Sequence, residues 1–171
     1  MARSARPGAG GTPATTALTA AGVAYTVRGY EHDPSTTAYG LEAAEALGVD
    51  PARVFKTLLV DTGSALAVAI VPVDRQLDLK AVSAALGAKK ASMADPALAE
   101  RSTGYVVGGI SPIGQKRALP AVLDESALAH DTVLVSGGRR GLDLELAPQD
   151  LARVIEARTA PIARSAATLQ P

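Results

Sequence analysis

Lys56 stands inside an apolar run, with Val54-Phe55 before it and Leu58-Leu59 after it. Strand alternation puts it on one face with Val54 and Leu58, an unusual place for an ammonium group. Partly stripped of water, that group could anchor a phosphate or polarise an ester carbonyl. The position equally suits a lysine that lays its stem along a sheet and keeps its head in water, and the residue types leave both readings open. A second feature is Gly108-Gly109, where the main chain can approach a ligand closely because no side chain intervenes. A tight turn between strands is the commoner meaning of such a pair.

Other groupings exclude more than they support. Residues 109–116, Gly-Ile-Ser-Pro-Ile-Gly-Gln-Lys, approach the spacing of a phosphate-binding loop. Such a loop needs lysine directly after the second glycine and then a hydroxyl for magnesium, whereas here Gln115 intervenes, Arg117 follows, and Pro112 removes an amide donor. Asp143 and Glu145 share one face of a strand, about 7 Å apart, as the carboxylates of a glycosidase could. Aromatic platforms for a sugar are missing, and such alternation more often marks a wet face. His32 and His130 lie in loops with no metal-ligand spacing, and no serine occupies a Gly-x-Ser-x-Gly elbow. The basic pairs Lys89-Lys90, Lys116-Arg117 and Arg139-Arg140 each sit near a glycine-containing turn. Converging, they would make a weak, salt-sensitive phosphate rim; scattered, they are ordinary solvated charge.

Composition narrows the classes further. Across 171 residues, 17 Lys and Arg balance 17 Asp and Glu, which removes the global positive field of a protein that grips nucleic acid alone. Aromatic residues are 3% of the chain, so base stacking on exposed rings is not expected and the core must be aliphatic. The chain has no cysteine, hence no disulfide, thiolate metal site or thiol nucleophile, and neither metal nor cofactor is expected. No apolar run approaches the roughly 20 residues that span a bilayer, so a soluble protein without membrane contact is expected. Residues 1–11 read as a loose tail rather than a secretory signal, and residues 164–171 as a frayed end.

The elements that must position these residues can be placed by their punctuation. Thr12-Pro13 opens a helix over 12–21 that stops at Gly22. A strand over 23–30 turns Tyr25 and Val27 to one face. A short helix over 40–47 sets Leu41, Ala44 and Leu47 against Glu42 and Glu45 and ends at Gly48. Strands over 54–60 and 65–71 form a hairpin through Asp61-Thr62-Gly63-Ser64. Helices over 78–86 and 95–102 each begin at aspartate and end near glycine. Strands over 105–107, 121–123, 132–135 and 142–146 follow, and a helix over 148–157 closes the pattern. With no repeat and no linker, this is one α/β domain over 12–163, a mixed, strongly curved, barrel-like sheet surrounded by helices.

Four stretches carry a family resemblance: Val54-Phe55-Lys56-Thr57-Leu58-Leu59, Lys89-Lys90-Ala91-Ser92-Met93-Ala94-Asp95, residues 101–112 (Arg-Ser-Thr-Gly-Tyr-Val-Val-Gly-Gly-Ile-Ser-Pro) and Val135-Ser136-Gly137-Gly138-Arg139-Arg140-Gly141. In that order they resemble the signature stretches of YbaK/EbsC proteins, and the likeness covers roughly residues 12–163. Those proteins are relatives of the editing domain inserted in bacterial prolyl-tRNA synthetases, and the Gly-Gly-Ile-Ser-Pro stretch is similar to their cysteine-specific branch. The resemblance implies that fold and a cytosolic enzyme that deacylates Cys-tRNA(Pro), with Cys-tRNA(Cys) as a further candidate substrate. It implies aminoacyl-tRNA and prolyl-tRNA synthetase as partners, and no DNA.

By motif, the resemblance implies a catalytic set of Tyr30, Lys56, Thr57, Gly108, Ser136 and Asp143. It places Gly109, Ile110, Ser111, Pro112 and Gly137 around the substrate, with Lys89, Lys90, Lys116, Arg139 and Arg140 as weak tRNA contacts. In the implied mechanism the substrate's own thiol attacks its ester and leaves as a cyclic thiolactone, so no enzyme nucleophile is needed. Lys56 would hold the ribose or phosphate of the terminal adenosine, and backbone around Gly108 the aminoacyl group. Departures are the tail, the short 61–64 turn and Ser92 where relatives often carry glutamate; none removes a residue of the catalytic set. A water-using Ala-tRNA(Pro) deacylase of the same fold and a non-catalytic tRNA-binding module are the alternatives. Dependence on a substrate thiol separates the first, and retention of Lys56, Ser136 and Asp143 speaks against the second.

Overall fold

Thr12 starts the first helix with a reciprocal cap: its hydroxyl accepts from the Thr15 N–H, the Thr15 hydroxyl accepts from the Thr12 N–H, and Pro13 fills the first helical position. The computed structural model describes residues 11–165. In chain order it contains α1 (Pro13–Ala20), β1 (Thr26–Gly29), α2 (Tyr39–Leu47), β2 (Phe55–Asp61), β3 (Leu66–Pro72), β4 (Arg75–Leu77) and α3 (Leu79–Leu86). It continues through β5 (Ser92–Met93), α4 (Pro96–Thr103), β6 (Ala121–Asp124), β7 (Val133–Arg139), β8 (Leu142–Leu146), α5 (Pro148–Val154), β9 (Arg158–Ala160) and β10 (Ala163–Ser165). The expected loose tail lies almost wholly outside the described residues. So does most of the expected frayed end, of which Arg164 and Ser165 pair with Gln76 and Arg75.

The α/β class holds, but the barrel-like sheet does not. Among the described residues, hydrogen bonds define three open sheets: five strands in the order β5-β2-β3-β6-β9, three in the order β1-β8-β7, and the pair β10-β4. The largest is mixed, with β2 antiparallel to β3 and β5 while β3, β6 and β9 run parallel. It touches the three-stranded sheet through one bridge, Val54 to Leu134, and the ladder goes no further. The two sheets instead pack face to face. Phe55, Leu59, Val68, Ile70 and Leu123 from one meet Val133, Val135, Leu144 and Leu146 from the other, with Leu18 and Ile113 between them. The opposite face of the large sheet buries Val60, Ala69, Val71 and Val122 against Val82 of α3.

One expected strand is absent. Residues 105–107 are β-formers by type, but Gly104 and Gly108 hold left-handed φ of 82° and 90° at either end. Side chains take the backbone groups that a ladder would use: the Tyr105 N–H donates to the Thr103 hydroxyl and the Val107 N–H to the Glu100 carboxylate. Four strands went unforeseen, β4, β5, β9 and β10, of which none exceeds three residues. Among the described residues no helix is long and apolar enough to cross a membrane.

A third small cluster seats α2, with Ala43 and Ala44 packed on Val54, Val73 and Leu134. Gly40 permits that approach, because a β-carbon there would overlap the Val73 side chain. Gly40→Ala is therefore expected to destabilise the fold by about 1–3 kcal/mol, the usual penalty of overpacking. The corresponding fall in Tm is roughly 3–10 °C, measurable by thermal melting.

Candidate active site

The edge of β2 explains where a cavity can form. β7 reaches that edge only at Val54, and β5 pairs with it only at Val60 and Asp61. Between those points a cavity of about 400 Å³ lies along the strand edge. A ligand approaching edge-on meets side chains of both faces, which is why Lys56 and Thr57, adjacent and opposed, both line it. Tyr30, just past β1, Gly108, in the loop after α4, and Ser136 and Asp143, from β7 and β8, complete the set that the motifs single out. Tyr39 and Leu41 of α2 and Met93 of β5 lie on the same wall. Sequence reading gave none of these three a site role: Leu41 reads as a core position of its helix, Met93 falls within the 89–95 stretch, and Tyr39 carries no signal.

Register fixes the polar end. Ser136 and Asp143 are opposite partners in the β7–β8 ladder, and Arg28 of β1 faces Asp143 from the other side. The ladder then bulges between Ser136 and Arg139. Gly137 turns toward the core, where a β-carbon would press on Leu142 and Leu144. Gly138 takes a φ of 111° and its N–H donates to the Ser136 hydroxyl at 3.2 Å, fixing that side chain.

The two carboxylates of β8 have opposite fates, and neither is on a wet face. Burial pushes Glu145 upward, but hydrogen bonds from Thr132 and Arg28, the Arg28 charge and a hydrogen bond from Arg53 outweigh it, so its pKa is lowered. Asp143 is 5% exposed, and burial raises its pKa to about 7 against the opposing pull of Arg28. Burial, with the Asp143 charge as the second cause, pushes the Tyr30 hydroxyl to about 12. Burial lowers the Lys56 pKa, while Asp74 acts in the opposite direction. Among the described residues the Lys56 ammonium has no hydrogen bond or ion pair, and the buried Thr57 hydroxyl has no partner. An unpartnered buried hydroxyl and an unpaired ammonium beside an apolar wall are groups that a polar ligand would engage.

The remaining motif residues divide. Ile110 lines the cavity, but Gly109, Ser111, Pro112 and Gly137 do not. Gly109 packs on the backbone of Arg139 and Arg140, and a β-carbon there would sit 2.7 Å from the Arg139 Cα. Ser111 is fully buried; its hydroxyl accepts from the Ile113 N–H and its carbonyl from the Gln115 amide. Gly137 sits at the bulge of β7, and Pro112 is buried. None of Lys89, Lys90, Lys116, Arg139 and Arg140 lines the cavity, although all are exposed. Arg140 is engaged with the loop itself, donating to the Val107 carbonyl. Among the described residues no group of three or more His, Cys, Asp or Glu is placed to hold a metal ion.

Known proteins resemble this chain in sequence and in fold. Residues 33–154 match the model of the aminoacyl-tRNA editing domain. A protein of Enterococcus faecalis (strain ATCC 700802 / V583), provisionally named a Cys-tRNA(Pro)/Cys-tRNA(Cys) deacylase, EbsC, is 43% identical over 107 residues, 62% of this chain. The match spans 65% of that relative's length. A solved structure described as that of a provisional trans-editing enzyme for prolyl-tRNA synthetase superposes with a TM-score of 0.79 at 26% identity, covering 90% of this chain and 96% of the other. The hypothetical protein APE2540 superposes equally well, with a TM-score of 0.79 at 25% identity over 89% of this chain and 99% of its own. The resemblance to YbaK/EbsC proteins is thereby borne out, and the chain belongs to the aminoacyl-tRNA editing domain family.

Proposed function

We propose that this protein deacylates mischarged aminoacyl-tRNA in trans, with Cys-tRNA(Pro) as its preferred substrate. One observation carries the reading: six residues spread from Tyr30 to Asp143 line a single cavity that suits an aminoacyl ester. The Enterococcus faecalis relative is named for such substrates, Cys-tRNA(Pro) and Cys-tRNA(Cys). The cavity wall holds no cysteine or histidine, and His32 is paired with Glu42. A substrate that carries its own nucleophile fits this wall. The cysteinyl sulfur attacks the ester carbonyl carbon; the C–S bond forms, the C–O bond to the ribose breaks, and a four-membered thiolactone leaves. The thiol proton passes to the Asp143 carboxylate and from there, or through solvent, to the ribose oxygen.

Lys56 and Gly108 act on this path by position and charge. The ammonium holds the terminal ribose or phosphate and faces the developing oxyanion, and the backbone at Gly108 fixes the aminoacyl group. Balanced charge over the chain leaves little field to capture tRNA alone, so a complex with prolyl-tRNA synthetase is the assembly in which this enzyme works, in the cytoplasm.

Asp143 supports a second reading, since a carboxylate titrating near 7 can also take a proton from water. That route would clear Ala-tRNA(Pro) by hydrolysis. Matched assays on cysteinyl-tRNA and its seryl counterpart decide. The thiol route predicts that the seryl ester is cleared at least about 100-fold more slowly, a difference of roughly 2.7 kcal/mol in barrier. Equal rates would overturn the thiol route and leave the hydrolytic one.

A further inference from the structure

Arg140 is exposed at the β7–β8 turn, where the motif suggested a phosphate contact, yet its guanidinium is already committed. Its Nε and Nη2 donate to the Val107 carbonyl at 3.0 and 2.7 Å, and its Cζ lies over the Tyr39 ring, 4.9 Å from the centroid. From the other side, Oε2 of Glu100 accepts the Val107 N–H at 2.8 Å. The Gly109 N–H closes the turn on the Val106 carbonyl at 2.8 Å. Gly108, held between these bonds at a φ of 90°, leaves no room for a side chain: a β-carbon would lie 2.8 Å from the Arg140 Nε and from the Tyr39 ring.

The consequence is geometric and electrostatic. Arg140 ties the Gly108 loop to the hairpin that carries Ser136 and Asp143, so it sets the spacing of two cavity walls. The peptide whose carbonyl it grips ends in the Gly108 N–H, which has no acceptor among the described residues. A cation on the carbonyl end of a peptide strengthens its N–H as a donor. We infer that Arg140 and Glu100, with Tyr39 as the platform for the guanidinium, are positioning residues that fix and polarise the Gly108 peptide for the substrate's ester. This rests on the deacylase reading above.

The test sets Arg140→Lys and Arg140→Ala beside Glu100→Gln and Glu100→Ala, in steady-state deacylation of Cys-tRNA(Pro) at several salt concentrations. A lysine cannot make the paired bonds to one carbonyl. Both Arg140 variants should therefore lose about 10- to 100-fold in kcat, with KM within twofold and the salt dependence unchanged. A phosphate contact would behave otherwise: Arg140→Lys near wild type, KM raised for Arg140→Ala, and the log–log salt slope reduced by about one. That pattern would overturn the inference. Glu100→Ala should match the Arg140 variants, while Glu100→Gln, whose amide oxygen can still accept the Val107 N–H, should recover to within a few-fold of wild type.

Amide hydrogen exchange keeps the inference separable from the deacylase reading. Arg140→Ala should speed exchange at Val107 and Gly109 and leave Val135 and Leu144 unchanged. If wild type proves inactive on every charged tRNA but this local loss is seen, the deacylase reading fails and the clamp stands. If exchange at Val107 and Gly109 is unaltered, the clamp is refuted whatever the activity.

Discussion

Replacing Lys56 with alanine is expected to slow single-turnover deacylation of Cys-tRNA(Pro) by about 10²–10³-fold, the range measured when one oxyanion donor is removed from a preorganised site. The fold should survive. A half-buried ammonium with no ion pair contributes nothing by pairing, and its depressed pKa shows that burial works against the charge. Removing it leaves no orphaned partner, the usual source of large losses at buried ion pairs. The Tm should therefore stay within roughly 3 °C of wild type, equivalent to about 1 kcal/mol for a domain of this size. Rapid-quench assays alongside thermal melts check both halves, and a variant retaining a tenth of wild-type activity would refute the role given to Lys56.

Asp143→Asn should do two opposed things. Activity should fall by about 10²–10⁴-fold, the usual contribution of a positioned proton acceptor, and the rise of kcat/KM through pH 7 should vanish with it. Stability should increase at high pH. The folded pKa, about 7, lies above the ordinary aspartate value near 3.9, so the folded state holds the proton more tightly than the unfolded chain. The stabilisation linked to that proton is complete below about pH 4 and is lost as pH rises to about 7. Asparagine is neutral throughout and does not incur this loss. At pH 8 the variant should be more stable than wild type on the order of 2–4 kcal/mol, and at pH 4 the two should nearly coincide. Denaturant titrations at both pH values test the sign. Equal stabilities at pH 8 would show that Asp143 is not held near neutrality by burial.

The legible parts of this fold are those decided locally. Thr12, Asp78 and Asp95 cap the helices that follow them, each accepting an N–H of the first turn, and Gly48, Gly87 and Gly104 end helices in left-handed backbone. The hairpin of β2 and β3 follows from two β-rich runs and a four-residue turn. What escaped is decided at a distance. β9 exists because it runs parallel to β6, and β10 because β4 lies beside it, neither of which a three-residue segment can announce. Leu41 looked like a core residue by helical period, yet it is 49% exposed at the cavity mouth, because Ala43 and Ala44 take the packed face.

The site divides in the same way. Lys56 and the Gly108-Gly109 pair stand out by residue type, and Ser136 and Asp143 by motif, because their chemistry is unusual for their surroundings. Asp143 and Glu145 look alike in sequence; Arg28 acts on both, and the deeper burial of Asp143 and the hydrogen bonds of Arg28, Arg53 and Thr132 to Glu145 tell them apart. The role of Arg140 was hidden because its partner, the Val107 carbonyl, is 33 residues away. A basic residue in a glycine-rich turn reads as a phosphate contact until the carbonyl it holds is seen.

The most direct measurement is single-turnover decay of Cys-tRNA(Pro) with purified protein in excess, with and without prolyl-tRNA synthetase, against the spontaneous rate. The account predicts clearance at least about 100-fold faster than spontaneous, a barrier reduction of roughly 2.7 kcal/mol, with a further gain when the synthetase is present. Decay at the spontaneous rate in both conditions would contradict it.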